Sequence, residues 1–402
     1  MPETIPRVIL GADPLFQPLT GIGTYTCSLA SNLLALQLVE ELTLYVNGIL
    51  LPGDRLPALI DPSLESISGQ NLSRGGEYAA KLLSKLRGSL VSKAWAIRAY
   101  QTLMPLVDRA RLYPYRDAVF HSPNYLLPPF HGPTVVTIHD LSIQRFPQFH
   151  PAERVSLLEA RIAKAAAGAT HIISDSACVR AEIIEYFGVD ESRVTAIPLA
   201  ADERFRPRTE KDCGSVLGAL EIRYEQFFLF ASTIEPRKNV LRICMAYKAL
   251  REAGKVDWPI IFVGGAGWKS EPEHRAIQSL VERGWAQYLG FVDEDILPIL
   301  YSSAGALIFP SIYEGFGLPA LEAQQSGTRV ITSAGSAMAE FSGEHDLLVE
   351  PEEVDSLMEA MTKAVELQSA NGGQPLRCGG SELSWQKTAQ LTANVYKKAL
   401  RV

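Results

Sequence analysis

The chain has 402 residues, of which 47% are hydrophobic, and a formal net charge of −7. Such an apolar content over this length favours two domains of about 200 residues each. The negative charge argues against nucleic acid as the main partner, because phosphate binding needs a surplus of Lys and Arg. The five cysteines show no C-x-x-C spacing, so the sequence predicts neither a disulfide framework nor a zinc site.

The first predicted elements are a strand, RVILGAD, and an amphipathic helix that opens in LTGIGTYTCSLASNLL. Gly21 and Gly23 at the helix start allow a phosphate or an acceptor to approach the backbone, with tight-turn glycines as the alternative. The N-terminus lacks a cationic segment followed by a long apolar one, and no run of about 18 apolar residues occurs. We therefore expect a cytoplasmic protein that does not span a membrane.

A basic segment follows, with nine Lys or Arg and two acidic residues between Arg74 and Arg116. Apolar residues at helical spacing among these cations are typical of a segment that lies on an anionic bilayer. The alternative is a packed pair of helices with a solvated basic rim. The first interpretation predicts a peripheral location at the inner face of the plasma membrane.

Two further strands of the first half end in polar residues. TVVTIHD closes with His139 and Asp140, and HIISDS leads through Ser176 into a helix that carries Arg180. Ligands of open parallel sheets bind outside the carboxyl ends of the strands, so these side chains are site candidates. The alternatives are a structural histidine, an Asp140 that caps the next segment, and a Ser176 that only starts the next helix.

The strand–helix alternation stops at ADERFRPRTEKD, a polar segment typical of a linker, and restarts with FFLFAST. The sequence therefore predicts an α/β fold with two parallel-sheet domains, residues 1–200 and 201–384, that face a cleft. The cleft between the two sheets is then the expected active site.

Two motifs of the second half suit an anionic ligand. In STIEPRKN, Arg237 and Lys238 follow a strand and can stabilise a leaving diphosphate; the alternative is a surface pair. In YEGFGLPALEAQQSG, Gly315 and Gly317 allow close backbone approach at a helix start. The motif's two carboxylates, Glu314 and Glu322, can each accept hydrogen bonds from neutral hydroxyls. The motifs together suit a sugar nucleotide, whereas the alternative is a solvated Glu314 and a Glu322 that favours the helix dipole.

These motifs, with FVGGAGW and LGFVDEDILPILYSSAGALIFPS, resemble the retaining glycosyltransferases of family 4, which have the GT-B fold of two Rossmann-like domains. The resemblance covers nearly all of residues 227–350. It implies transfer of a sugar from a nucleoside-diphosphate donor to an acceptor hydroxyl. It also implies that the C-terminal helix, 385–402, packs on the first, acceptor-binding domain.

The resemblance assigns roles to individual residues. It implies catalytic roles for His139, Arg237, Lys238 and Glu314, with His139 near the reacting carbon and Glu314 on the sugar hydroxyls. It implies donor binding by Gly23, Gly264, Val292, Gly315, Phe316, Gly317, Leu318 and Glu322, the last at the ribose. Acceptor binding is expected at Asp140, Ser176 and Arg180.

We expect no metal and no other cofactor. Asp293 and Asp295 match a D-x-D pattern, but acidic residues before a predicted helix are ordinary caps. The cations and a helix N-terminus can neutralise the diphosphate instead. Because no nucleophilic carboxylate is evident, a front-face reaction is expected in place of a double displacement.

The donor is less clearly encoded. The motifs resemble most the branch that uses GDP-mannose for surface polysaccharides, with a glycan or lipid-linked acceptor. Rhamnose, glucose and N-acetylglucosamine donors stay open. A sugar-nucleotide epimerase and a non-catalytic two-lobed sugar-binding protein are the alternatives from other classes.

Overall fold

The computed structural model describes residues 5–16, 21–46, 48–60, 105–371 and 382–401. The first sheet has seven strands in the order β3-β2-β1-β4-β5-β6-β7. All neighbours pair in parallel except β3, which runs antiparallel to β2 at the sheet edge. The strands are β1 (Ile5–Gly11), β2 (Val39–Val46), β3 (Ile49–Pro52), β4 (Val119–Ser122), β5 (Thr134–Ile138), β6 (His171–Ser174) and β7 (Val194–Ala196).

The second sheet has six parallel strands in the order β10-β9-β8-β11-β12-β13. Its central strands are short, apolar and buried, as expected for strands that helices cover on both faces. The prediction of two parallel-sheet α/β domains is confirmed. The strands are β8 (Phe228–Ala231), β9 (Ile260–Val263), β10 (Ala286–Gly290), β11 (Ala306–Phe309), β12 (Val330–Ser333) and β13 (Leu347–Val349).

Helices join the strands of both sheets. In the first half these are α1 (Gly21–Ala35), α2 (Leu56–Ile60), α3 (Ser142–Arg145), α4 (Ala152–Gly168) and α5 (Ala177–Phe187), with residues 105–112 also helical. The second half adds α6 (Glu210–Leu220), α7 (Val240–Glu252), α8 (Glu271–Glu282), α9 (Leu297–Ser303), α10 (Leu318–Gln325), α11 (Val354–Asn371) and α12 (Trp385–Ala399).

The last helix, α12, packs on the first sheet, where it contacts α1, β1, β5 and β6. Its Tyr396 hydroxyl hydrogen-bonds Nδ1 of the buried His121 at 2.6 Å. Trp385 packs near Tyr25 of α1. The chain therefore crosses between the sheets twice, once before β8 and once before α12.

The two domains touch along the carboxyl ends of their strands. The Tyr313 hydroxyl accepts a hydrogen bond from the Leu141 backbone N–H at 3.0 Å and donates one to Glu182 at 2.5 Å. The Glu340 carboxylate accepts from the N–H groups of Ala177 and Cys178, at the start of α5. A carboxylate at a helix N-terminus is favourable, so this contact stabilises the interface between the two domains.

No helix within the described ranges is long and apolar enough to cross a bilayer. The greater part of the basic segment, residues 74–104, lies outside the described residues.

Candidate functional site

A cavity of about 480 Å³ lies between the two domains. The loops that follow β8, β9 and β10 form one wall, and the first turns of α1 form the other. Its lining includes Thr24, Cys27, Ser28, Asp202, Arg204, Thr233, Gly264, Phe291, Val292, Glu294, Tyr301, Pro319 and Glu322. The cavity thus lies at the carboxyl ends of the second sheet's central strands, where ligands of parallel sheets bind.

Glu322 lines this cavity from α10. The helix begins at Leu318, has Pro319 in its first turn and is followed by Gly327 at a positive φ. Proline at the start and glycine just past the end are the residues typical of helix boundaries. Burial raises the pKa of Glu322 to about 7, against the lowering effects of a hydrogen bond from Tyr301 and the charge of Arg204. Because Glu322 lines the cavity, its carboxyl oxygens are placed to accept hydrogen bonds from a ligand.

A cluster of two cations and two carboxylates lies in the turn after β8. Arg237 donates to Glu314 Oε2 at 3.0 Å and to Glu235 Oε1 at 2.8 Å, and Lys238 donates to Glu314 Oε1 at 2.5 Å. All four side chains are close to fully buried. Lys238 and Glu314 are 76 residues apart in the sequence, so these hydrogen bonds join the STIEPRKN motif to the YEGFGLPALEAQQSG motif.

The cations fix the protonation state of Glu314. Burial alone would raise its pKa, but the charges of Arg237 and Lys238 outweigh burial and lower the pKa to about 2. Burial lowers the pKa of Lys238. Arg237 also donates to the Tyr313 carbonyl, while its Nε finds no hydrogen-bond partner among the described residues. The Nε–H of Arg237 is thus a buried donor without a partner among the described residues.

His139 lies at the end of β5, with both ring nitrogens engaged. Nδ1 is 2.7 Å from Asp175 Oδ2 and Nε2 is 2.9 Å from the Pro123 carbonyl oxygen. Burial lowers the pKa of His139, but the charge and hydrogen bond of Asp175 and the Pro123 carbonyl raise it overall. Because the carbonyl can only accept, Nε2 carries a proton. The ring is held edge-on to Tyr25, with 5.0 Å between the ring centroids.

Three comparisons with known proteins bear on this geometry. The family model described as "Glycosyl transferases group 1" matches residues 220–377, and "Glycosyltransferase Family 4" matches 83–205. The chain is 31% identical, over 97% of its length and 99% of the relative's, to the O-antigen chain mannosyltransferase B of Escherichia coli. The chain belongs to glycosyltransferase family 4.

Two other matches are more partial or more distant. The chain is 30% identical to the serotype-specific mannosyltransferase WbdA of Escherichia coli over 58% of this chain and 29% of that protein. Anabaena HepE in complex with UDP-glucose has the same fold, with a TM-score of 0.59, 16% identity and 98% coverage of each chain. The chain is thus a glycosyltransferase of the GT-B fold, and its relatives include mannosyltransferases for O-antigen synthesis.

The structure of this family 4 enzyme brings some predicted donor-binding residues together and not others. Gly264, Val292 and Glu322 line the cavity. Gly23 is buried in the first turn of α1, where Thr24 is the neighbouring lining residue. Phe316 packs against Phe341 in the core, and Leu318 packs on the same core. These last two side chains support the loop and do not line the cavity.

The two glycines of YEGFGLPALEAQQSG that were predicted to bind the donor lie close to other parts of the protein. A Cβ on Gly315 would lie 1.9 Å from the His139 carbonyl oxygen, and one on Gly317 would lie 2.4 Å from Met338 Cγ. Gly317 also has a φ of 98°. The approach of a ligand to these two glycines stays a prediction. Gly315 makes room for the other domain, and Gly317 for a core methionine.

The predicted acceptor residues have protein partners. Asp140 accepts from the Ser142 N–H, which is the capping alternative. Ser176 caps α5 through the Val179 N–H and donates to the Gly315 carbonyl across the cleft at 2.8 Å. Arg180 donates to the carbonyls of Val194 and Glu191 at the far edge of the first sheet. The structure does not bring Arg180 together with the other site residues.

The segment 293–295, whose acidic residues were interpreted from the sequence as a helix cap, lies at the edge of the cavity. Glu294, between Asp293 and Asp295, lines the cavity and pairs with Arg204 at 2.8 Å. Within the described ranges, no group of three or more His, Cys, Asp or Glu side chains is arranged to hold a metal ion.

Sequence reasoning missed several site residues. Asp175 directly follows β6, and a carboxylate at a strand end was a usable signal for a site residue, although not for its contact with His139. Glu235 lies two residues before Arg237, in the same STIEPRKN motif. Phe291 and Tyr301 gave no signal, because a single aromatic residue near a strand end or in a helix is usually a core residue.

Proposed function

We propose that the enzyme transfers a mannosyl group from GDP-mannose to a hydroxyl of a glycan or a lipid-linked acceptor, with the anomeric configuration kept and without a metal ion. The observation that carries the proposal is the cavity with Glu322 inside it and the Arg237–Lys238 cluster on the loop that extends from its wall. The name of the O-antigen chain mannosyltransferase B, which matches along the whole chain, supports mannose as the transferred sugar.

The lining matches the parts of a nucleoside diphosphate. Phe291 is 85% exposed although it lines the cavity, and an exposed aromatic ring at a cavity mouth offers a stacking face to a nucleobase. Glu322 can accept hydrogen bonds from the ribose. The start of α1 and the Arg237–Lys238 pair supply positive potential for the diphosphate.

The cation–carboxylate cluster supports a front-face mechanism. Both oxygens of Glu314 are held by cations and its pKa is low, which makes it a poor nucleophile and a poor base. In the proposed step, the bond from the sugar C1 to the diphosphate oxygen breaks and its electron pair leaves with the diphosphate. The acceptor oxygen bonds to C1 on the same face, and its proton passes to a diphosphate oxygen.

Arg237 and Lys238 would stabilise the charge that develops on the leaving diphosphate. By analogy with the loss of one oxyanion donor, removal of either should cost about 3–4 kcal/mol of transition-state stabilisation. The proposal assigns this role to the two cations in place of a divalent metal ion.

The test begins with thermal unfolding in GDP, UDP, ADP and dTDP, each with EDTA and without it. Selective protection by GDP, reduced in Glu322→Ala and Phe291→Ala and indifferent to EDTA, is expected.

The anomeric configuration of the product is then read by NMR from a GDP-mannose reaction with a mannose-containing acceptor. Protection by another nucleotide selects a rhamnosyl, glucosyl or N-acetylglucosaminyl donor instead. Epimer formation without an acceptor, or sugar binding without turnover, contradicts the proposal.

A lipid-linked acceptor would place the enzyme at an anionic membrane surface. The +7 charge of residues 74–116 supports this location, because each cation near the surface adds about 1 kcal/mol of attraction. Sedimentation with phosphatidylglycerol vesicles at low and high salt tests it. Salt-sensitive binding is expected, and an unbound protein at low salt contradicts the membrane part of the proposal alone.

A further inference from the structure

A second cavity, of about 700 Å³, lies outside the donor site, along α4. We call it the α4 groove. It is lined by Pro147, His150, Ala152, Val155, Ser156, Glu159, Ala160, Ala163 and Lys269. The α4 residues of the lining repeat every three or four positions, which places them on one face of the helix. Most of them are small, so a ligand can approach this face closely over about 16 Å, at 1.5 Å per residue.

His150 is the residue of the groove whose buried polar atoms lack hydrogen-bond partners within the described ranges. Its side chain is only 4% exposed, and neither ring nitrogen has a hydrogen-bond partner among the described residues. Buried polar groups without a partner are costly and rare in folded proteins. Because the imidazole lines the groove, a bound molecule can supply the missing hydrogen bonds.

The other side of the groove comes from the second domain. Lys269 has a φ of 56°, a strained value for a residue with a side chain, and its ammonium donates to the carbonyls of Gln148 and His150 at 2.8 Å each. The ring of Trp268 lies beside His150, with 5.7 Å between centroids, and Arg154 covers the Trp268 ring. The groove is thus completed by the domain contact itself.

The charges favour a neutral ligand over an anion. The Lys269 ammonium is already used on carbonyls, and Glu159 adds a negative charge to the lining. Burial lowers the pKa of His150, Asp140 raises it, and the nearby cations Arg237, Arg154 and Lys269 lower it further. A neutral imidazole offers one donor and one acceptor, which is what a sugar hydroxyl, itself both donor and acceptor, can satisfy.

We propose that the α4 groove binds the saccharide chain of the acceptor, with His150 hydrogen-bonded to its hydroxyls. The inference rests on the proposed function, because it assigns the acceptor site of that reaction. His150 lies within electrostatic range of Asp140 and Arg237, so its end of the groove is the one near the Arg237–Lys238 cluster. An acceptor chain along α4 would therefore direct its terminal hydroxyl toward the Arg237–Lys238 cluster.

The test measures binding of three neutral trisaccharides, mannotriose, cellotriose and chitotriose, by saturation-transfer NMR and calorimetry. His150→Phe keeps a ring beside Trp268 but removes both nitrogens, and we expect about tenfold weaker binding of the preferred trisaccharide. Ala160→Trp fills the groove and should abolish binding. Leu157→Trp, at an exposed α4 position outside the lining, is the matched control and should bind like the wild type.

Protection by GDP against thermal unfolding is measured for all four proteins. It reports the donor site and should be equal in each, so that failure of the proposed function and failure of this inference are distinguishable. In turnover with GDP-mannose, His150→Phe should raise the KM for the saccharide acceptor and leave the KM for the donor unchanged. Equal trisaccharide affinity in the wild type and both groove variants, or no binding of any trisaccharide to the wild type, would overturn the proposal.

Discussion

Lys238 and Glu314 form a buried ion pair of 2.5 Å that joins the loop after β8 to the loop before α10. Glu314→Gln removes the carboxylate charge and leaves two buried cations with Glu235 as the one acidic side chain still in the cluster. Breaking a buried pair from one side typically costs about 3–5 kcal/mol. We expect a loss of that size in the free energy of unfolding by urea, together with a large fall in kcat.

The control for Glu314→Gln is Glu41→Gln. Glu41 pairs with Arg7 at 2.9 Å on the surface, where solvent screens the interaction. The control should unfold at the wild-type urea concentration. If Glu314→Gln does the same, the cluster does not carry the stability assigned to it here.

Glu322 should make the stability of the free enzyme fall as pH rises. Its pKa is about 7 in the folded protein, against 4.5 as the ordinary value, so the folded state holds a proton that the unfolded state loses between these pH values. Stability therefore decreases by about 3 kcal/mol from pH 4.5 to 7, at 1.36 kcal/mol per pKa unit, and is flat above pH 7.

Urea unfolding at a series of pH values checks this dependence as a difference between the wild type and Glu322→Gln. The variant should lack the decrease, whereas Glu366→Gln, at an exposed position of α11, should retain it. Parallel curves for the wild type and Glu322→Gln would contradict the raised pKa. GDP affinity, compared between the same two proteins at each pH, should favour the wild type more as pH rises, because ionised Glu322 is the better acceptor for ribose hydroxyls.

His139 should titrate above its ordinary pKa of 6.5, since Asp175 and the Pro123 carbonyl both favour the imidazolium. A histidine pKa raised by folding contributes stability that is present below pH 6.5 and is lost as pH rises through the folded value. Asp175→Asn removes the carboxylate charge and should lower the pKa of His139.

Histidine ring signals in NMR, followed from pH 5 to 9, measure the effect. His121 is an internal control, because burial lowers its pKa to about 3 and its signal should not move in that range. A His139 signal that titrates at or below 6.5 in the wild type would show that the contact with Asp175 does not hold the imidazolium.

The sequence predicted those parts of the site that depend on residues close to one another along the chain. Short apolar strands, Pro319 and Gly327 around α10, and two motifs at strand ends were enough to predict two parallel-sheet domains with Arg237, Lys238 and Glu314 at one cleft. These features are encoded within a few residues of one another, or follow from the rule that parallel strands end at one edge.

Contacts between separate segments could not be read in the same way. Asp175 reaches His139 because β5 and β6 are neighbours, but a single sequence does not state strand order. His150 was overlooked since it lies in an irregular loop, and its role depends on α4 and on Lys269 from the other domain. Gly315 was interpreted only as a ligand contact, because the sequence does not record that the other domain lies against it.

Gly315 lies directly against the first domain in this structure. A methyl group there would meet the His139 carbonyl oxygen at 1.9 Å and Asp140 Cβ at 3.0 Å, and backbone atoms cannot yield to it without separating the domains. We therefore expect Gly315→Ala to enlarge the radius of gyration in solution scattering and to lower kcat at least tenfold. Thermal protection by GDP should fall much less, because much of the cavity wall belongs to the second domain.

The matched control is Gly214→Ala in α6, where an added Cβ meets nothing within 4 Å. Alanine is the better helix former, so this control should be as stable as the wild type or more stable by up to about 1 kcal/mol, with unchanged scattering and turnover. Gly315→Ala with wild-type scattering and wild-type kcat would show that the loop shifts to accept the methyl group. Lower kcat with wild-type scattering would instead place the defect in the positions of His139 and Glu314, because Gly315 lies directly between them.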